Sequence, residues 1–236
     1  MARKQKPIKS DLAWSTSDRI VVRGKDLPNE ILGHVNLGDM AFLMILGRVP
    51  DKNESKLFNA MAVTLVEHGI TPSAIAARMT YLGAPESPQA AVAAGLLGLG
   101  SVFVGSMEGV AKMLMEDADI AGLKRVPGLG HPLHKQGDPR TRRLFEIARE
   151  TGFYGKYCKR MEEIGKQRKL VVNATGAIGA LACELGIDWR AVRGIGVMAR
   201  AIGLVGHILE EAKQPMALEL WERTEEEASA HNRPKK

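Results

Sequence analysis

Eighteen consecutive residues, Ala90 to Met107, carry no charge, and a glycine or serine interrupts the run at six positions. A stretch of that length has to leave water, either in a bilayer or in a packed interior. Its alanine, glycine and serine content makes it too weakly hydrophobic for a membrane span, so a buried helix tightly packed against its neighbours is expected. The rest of the chain agrees. Aromatic residues make up 5% of the 236 residues, whereas glycine occurs 25 times and methionine 11 times. That mixture suits packed helices better than a β-sandwich. A chain of this length can bury a substantial core in one large or two modest domains.

Helical periodicity and its punctuation recur from residue 27 onward. Leu27-Pro28-Asn29-Glu30 opens a first helix, and Asn36 to Leu46 forms a second. Lys52 to His68 reads as a longer amphipathic helix closed by Gly69, and Thr71-Pro72-Ser73 starts another that runs through Tyr81 to a stop at Gly83. Pro88 opens the apolar stretch, which is expected to continue to about Met115. Further helices are expected near Pro139–Thr151, Tyr154–Gln167, Gly176–Leu185 and Arg190–Gln214. Only Arg19–Val22, within Ser15–Gly24, has the β-branched run of a strand. The expectation is an all-α protein. A flexible basic arm would cover residues 1–14, and one domain would span 15–220, with a large helical core and a smaller helical lobe at about 130–186. A charged tail would follow over 221–236.

The formal charge of +6 resides in the two ends. Arg3, Lys4, Lys6 and Lys9 lie at the start, Arg233, Lys235 and Lys236 close the chain, and without these seven the remainder carries −1. No aromatic residues alternate with those bases, so a nucleic-acid surface is not indicated. Cys158 and Cys183 have neither metal-ligand nor disulfide spacing. Together with the lack of a secretory signal, this points to a reducing cytoplasm.

Chemistry concentrates between Val126 and Arg140, in the run Val126-Pro127-Gly128-Leu129-Gly130-His131-Pro132-Leu133-His134-Lys135-Gln136-Gly137-Asp138-Pro139-Arg140. Gly128 and Gly130 let the backbone pass close to a ligand with its N–H groups exposed. Lys135 suits a phosphate and Arg140 a carboxylate, and His131 between them is placed to polarise a carbonyl. A large, acidic, phosphorylated ligand with a reactive carbonyl would need such a loop; the alternative is a basic surface loop ahead of a helix starting near Asp138-Pro139.

Three more segments stand out, two of them bearing a histidine and one a glycine-rich run. They are Glu67-His68-Gly69-Ile70-Thr71-Pro72-Ser73, Gly95 to Met113, and Arg200-Ala201-Ile202-Gly203-Leu204-Val205-Gly206-His207. Taken in order with the loop, over about residues 15–215, they resemble the citrate synthase superfamily. The closer match is its citryl-CoA lyase branch, as in the C-terminal module of ATP-citrate lyase. Citrate synthases have a catalytic histidine where Phe103 stands; the lyase module carries phenylalanine there, and the alternative for Phe103 is a core residue. The resemblance implies a citrate synthase-like helical fold that acts as a homodimer or higher homo-oligomer. It implies coenzyme A as the substrate thioester together with a di- or tricarboxylic acid, and no metal or redox cofactor. His131 would hydrogen-bond the oxygen at the scissile carbon. Arg140, Arg200 and His68 would hold carboxylates, Phe103 would line the substrate, Lys135 would meet a CoA phosphate, and the backbone of Val126, Gly128 and Gly130 the adenine. Local reasoning leaves other roles open for two of the histidines: His68 as a helix-terminal cap and His207 as a structural residue of an apolar helix.

One departure matters. Family members place a catalytic aspartate in an asparagine-valine-aspartate-glycine stretch, and the matching run here is Val172-Asn173-Ala174-Thr175-Gly176, with Thr175 at the aspartate position. Loss of a positioned acid–base costs about 10²–10⁴ in rate, or roughly 3–5.5 kcal/mol of barrier. His134 is an additional histidine that could substitute, or a solvated loop residue. The expected activity is therefore citryl-CoA lyase-type carbon–carbon cleavage or its reverse. The alternatives are a related enzyme for a different acid, or an acyl-CoA-binding subunit without turnover.

Overall fold

A computed structural model describes residues 7–131 and 133–233. Ten α-helices and one small sheet are found among them, so the all-α expectation holds. Internal contacts divide the chain into two compact units, one up to Asn59 and one from Ala60. That boundary falls within one helix, Lys52–Val66.

The first unit opens with three antiparallel strands in the order β1 (Ala13–Ser15), β2 (Ile20–Val22) and β3 (Lys25–Asp26). Val21 of β2 pairs with Trp14 of β1 and with Asp26 of β3. The strand signal at Arg19–Val22 thus marks the middle of a sheet, and Ala13 and Trp14 belong to β1 rather than to a flexible arm; residues 1–6 of that arm lie outside the described residues. Leu27–Ile31 makes one wide helical turn rather than a full helix. Asp26 caps it by accepting from the Asn29 N–H. Helix α1 (Leu37–Leu46) starts at the Asn36 cap, as its sequence predicts. Val22, Ile31 and Leu43 form a small core with Leu27, Val35, Met40 and Met44 packed against it. Helix α2 (Lys52–Val66) begins in this unit, where Phe58 meets Phe42 edge-on at 5.4 Å between centroids.

The second unit holds the end of α2 and the helices α3 (Pro72–Gly83), α4 (Pro88–Leu97), α5 (Gly105–Met115), α6 (Pro139–Thr151), α7 (Lys156–Arg168), α8 (Ala174–Glu184), α9 (Trp189–Lys213) and α10 (Ala217–Ser229). Local punctuation set most of these ends. Thr71, Asp138, Asn173 and Asp188 each cap a helix through a side-chain oxygen, which satisfies amides that have no partner within the helix. Helix α8 is the centre: from Gly176 to Cys183 every residue is buried, with α5, α6, α7 and α9 around it. Both cysteines are buried and unpaired. By length and composition α9 could cross a membrane, but half of its most apolar window is buried in the fold.

Two expectations need correction. The apolar stretch from Pro88 to Met115 is not one buried helix: it breaks over 98–104, where Gly98 and Gly100 have no side chain, and Ser101 only a short polar one, to hold a helix against the core. Leu97 and Val102 are left more than four-fifths exposed and Phe103 half exposed, so Phe103 is not a core residue. The charged tail is also more ordered than its composition implies, because Trp221 to Ser229 continue α10 and residues 230–232 add a short 3₁₀ turn; residues 234–236 lie outside the described residues.

Helix α9 passes the end of α2 so closely that a Cβ on Gly203 would lie 2.1 Å from the Val66 carbonyl oxygen, whereas one on Gly206 would meet nothing within 4 Å. Both sites gain the same helix propensity from alanine, about 0.5–1 kcal/mol. Only the first must overpack, at about 1–3 kcal/mol or more. Thermal denaturation is expected to show Gly203→Ala melting below the native protein and Gly206→Ala at or above it; equal shifts would contradict the close contact.

Candidate active site

The loop from Val126 to Arg140 is fixed at its base by backbone geometry. Gly128 has φ +76°, and a Cβ there would lie 2.5 Å from the Cα of Gly176. No other residue fits that turn against the first turn of α8. The Gly130 N–H donates to the Val171 carbonyl at 2.7 Å and the Asn173 N–H to the Gly128 carbonyl at 3.0 Å. Asn173 adds a third tie, its side-chain amide donating to the Gly130 carbonyl at 2.7 Å. Val126 is buried, and Lys135 stands exposed on the turn that follows.

Asp138 fixes the other end. Its side chain is fully buried and caps α6 by accepting from the Arg140 N–H at 3.0 Å. It also accepts from the Ala174 N–H at 3.0 Å, joining the N-termini of α6 and α8. The Arg140 guanidinium grips it with Nε at 3.0 Å and Nη2 at 2.8 Å. Burial by itself would raise the Asp138 pKa, but these donors more than offset it and hold the carboxyl below its usual range.

His131 Nδ1 accepts from two backbone amides, Leu133 at 3.2 Å and His134 at 3.1 Å. A nitrogen that accepts carries no proton, so the neutral ring bears its hydrogen on Nε2. That Nε2 lies 3.4 Å from Arg140 Nη2. Two donors converge there, which is the arrangement an oxygen of a ligand would complete. Burial pushes the His131 pKa down, the charges of His134, Arg140 and His68 push the same way, and Asp138 opposes them; the net shift is downward. The half-buried ring of His134 lies 4.4 Å from that of His131, tilted by 32°.

Thr175 stands in the first turn of α8, with its hydroxyl 2.7 Å from Asn173 Oδ1 and 3.2 Å from Ser106 Oγ. Ser106 in turn accepts from the Gly128 N–H at 3.2 Å. The hydroxyl is thus part of the network that seats the loop. Phe103, on the turn before α5, is half exposed.

His68 lies two residues beyond the end of α2 at Val66. Its neighbour Glu67 does more than the sequence signals. Glu67 Oε1 accepts from the His68 and Gly69 amides at 2.8 and 2.5 Å. Its Oε2 lies 3.5 Å from Arg200 Nη1 and 2.9 Å from His207 Nε2, although the His207 N–H is poorly aimed at it. His207 Nδ1 accepts from Arg78 Nε at 3.2 Å, and Arg78 Nη1 donates to Glu211 at 2.8 Å. His207 therefore has the structural role. Arg200 is 5% exposed and its Nε has no partner; burial lowers its pKa and Glu67 only partly opposes that. Glu67 and Arg78 were missed in the sequence, where a helix-end acid and a mid-helix base look like surface charge.

Among the described residues no group of three or more His, Cys, Asp or Glu side chains is placed to hold a metal ion. Comparison with known proteins sets this geometry in context. Residues 26–221 match the family model of the citrate synthase C-terminal domain. Citryl-CoA lyase from Hydrogenobacter thermophilus has a similar structure, with a TM-score of 0.82 and 35% identity over 89% of this chain and 88% of that one. ATP citrate lyase from Methanothrix soehngenii, solved in complex with citrate and coenzyme A, aligns with a TM-score of 0.71 over 89% of this chain and 40% of that one. At 21% identity that likeness is one of fold. The probable ATP-citrate synthase of Dictyostelium discoideum is 24% identical in an alignment of 251 positions that covers 92% of this chain and 40% of that protein. The chain spans about two fifths of the length of such curated relatives.

A lowered His131 pKa means that the folded state binds this proton less tightly than the unfolded chain. The stability it contributes is complete above the ordinary imidazole pKa, about 6.5, and is lost as pH falls through the folded value. Histidine nitrogen NMR is expected to show His131 as the Nε2–H form with a titration midpoint below the ordinary one. His131→Gln should make stability less sensitive to acidification in this range. A midpoint at or above the ordinary value would contradict the geometry.

Proposed function

The chain belongs to the citrate synthase family, and we propose that within it the protein acts as a citryl-CoA lyase, cleaving citryl-CoA to acetyl-CoA and oxaloacetate or running the reverse condensation. The observation that carries this reading is the convergence of His131 Nε2–H and Arg140 Nη2, 3.4 Å apart, on one point above a backbone-lined loop. A carbonyl or hydroxyl oxygen at that point, with a carboxylate beside it, would satisfy both. The similarity to a citryl-CoA lyase along most of both chains supports the choice of substrate.

Arg140 is held by Asp138 with its Nη1 still uncommitted, and buried Arg200 has an unpartnered Nε. These two, with His68, would take carboxylates and fix the reacting geometry. The exposed Lys135 would meet a CoA phosphate, and the backbone of Val126, Gly128 and Gly130 would line the adenine. Phe103, half exposed, would cover the substrate. In cleavage the tertiary hydroxyl loses its proton, the carbon–carbon electron pair passes into the thioester enolate, and the enolate carbon takes up a proton. His131, as a donor, would stabilise the oxygen that becomes the carbonyl of oxaloacetate. That role leaves the proton to another group. We assign it to His134, which would accept the hydroxyl proton and return one to carbon, in place of the carboxylate whose position Thr175 occupies.

A second reading, an acyl-CoA-binding subunit without turnover, draws on one observation: the Thr175 hydroxyl is committed to Asn173 and Ser106. Direct assay separates the two. Native protein incubated with citryl-CoA is expected to release acetyl-CoA and oxaloacetate in equal amounts, with His131→Ala and His134→Ala each slower by about 10²–10⁴-fold. Native turnover in His134→Ala would remove that residue from the mechanism. Coenzyme A binding without products in the native protein would favour the second reading.

A further inference from the structure

We infer that Glu67 is a positioning residue of this site, one carboxylate that sets both the main-chain turn bearing His68 and the guanidinium of Arg200; the inference rests on the reading of those two groups as carboxylate holders. Its two oxygens divide the work. Oε1 takes the His68 and Gly69 amides, which fixes the direction in which the chain leaves α2. Oε2 faces Arg200 and His207 on α9, more than 130 residues away in sequence. The approach is possible because residue 203 is glycine: a Cβ there would lie 3.0 Å from Glu67 Oε2.

Glu67 is itself held from behind. His207 receives hydrogen bonds from Arg78 on its far nitrogen, and Arg78 is ion-paired with Glu210 and Glu211. The second oxygen of Glu211 accepts from the Met216 and Ala217 amides at 3.0 and 2.8 Å. A continuous chain of polar contacts therefore runs from the start of α10 to the His68 turn. The contact that branches from it at Glu67 to Arg200 is loose by comparison with the others. Arg200 Nη1 is 3.5 Å from Glu67, and Arg200 Nε has no partner although the residue is 5% exposed. A tight bidentate acid would have taken two of the guanidinium nitrogens, as Asp138 takes Nε and Nη2 of Arg140. No acid at all would have left a buried charge unsupported. One off-centre carboxylate steers the cation and leaves donors for a ligand.

Glu67→Gln keeps the size of the side chain and an oxygen for the two amides but removes the charge that steers Arg200. Calorimetric affinity for oxaloacetate and for citrate is expected to weaken about tenfold or more, equivalent to about 1.4 kcal/mol, with coenzyme A affinity unchanged. The KM for citryl-CoA should rise more than kcat falls, the pattern of lost ground-state binding. Glu67→Asp, charged but one methylene shorter, should fall between the two. Binding of oxaloacetate by Glu67→Gln as tight as, or tighter than, in the native protein would overturn the proposal, because Glu67 would then compete with the ligand. If native protein binds neither acid nor coenzyme A, the lyase reading fails, and two ligand-free signals judge Glu67 alone. Faster amide exchange at His68 and Gly69 with a shifted Arg200 Nε–H resonance in Glu67→Gln would sustain it, and unchanged signals would overturn it.

Discussion

A carboxylate with no solvent exposure sits where two helix N-termini meet, and the geometry of the site follows from it. Burying an ionised Asp138 is tolerable only because its oxygens are fully engaged, by the Arg140 amide and guanidinium and by the Ala174 amide. The N-termini of α6 and α8 add favourable dipoles at the same point. The consequence is positional. With Asp138 fixed, Arg140 can point in one direction only, and the loop ending in Asp138 must return to the start of α8, where Gly128 rests on Gly176. His131 lies between those two anchors, and its tautomer is decided by amides of its own loop.

The two arginines proposed to bind carboxylates are held in different ways. Arg140 is partly exposed and paired with an acid two residues away, so its charge is balanced before any ligand arrives. Arg200 is buried on α9, with one long contact to Glu67 and an unpartnered nitrogen. A buried, incompletely satisfied cation is costly unless something else completes it, and this asymmetry marks Arg200 as the group with more to gain from a bound anion.

Thr175 changes what the first turn of α8 can do. A carboxylate there would be a base; a hydroxyl shared with Asn173 and Ser106 is a structural link that ties the loop to α5 and α8. On the lyase reading proposed above, the proton that an acid–base residue would carry falls to the ring of His134, 4.4 Å from that of His131. The hydroxyl at this position thus serves the seating of the loop.

The helix starts were legible in the sequence because their causes are local: Asn36, Thr71, Asp138 and Asn173 each bond an amide two or three residues ahead. The glycine-rich loop and its histidine and arginine were legible for the same reason, and the family followed from their order. Other features depended on partners that sequence does not rank. The glycines and serines scattered through the uncharged run did not mark the break at 98–104, since local composition does not say which side chains find a surface to cover. Phe103, left half exposed, follows from that break. The sheet around Val21 needed strands that are individually too short to signal themselves. Glu67, Arg78, Arg200 and His207 became one network only when α2, α3 and α9 packed, because an ion pair across 133 residues is set by helix approach, and that approach turned on the missing side chain of Gly203. Sequence determined which groups could do chemistry near the loop; only the packed structure decided which charges were already spent and which remained open.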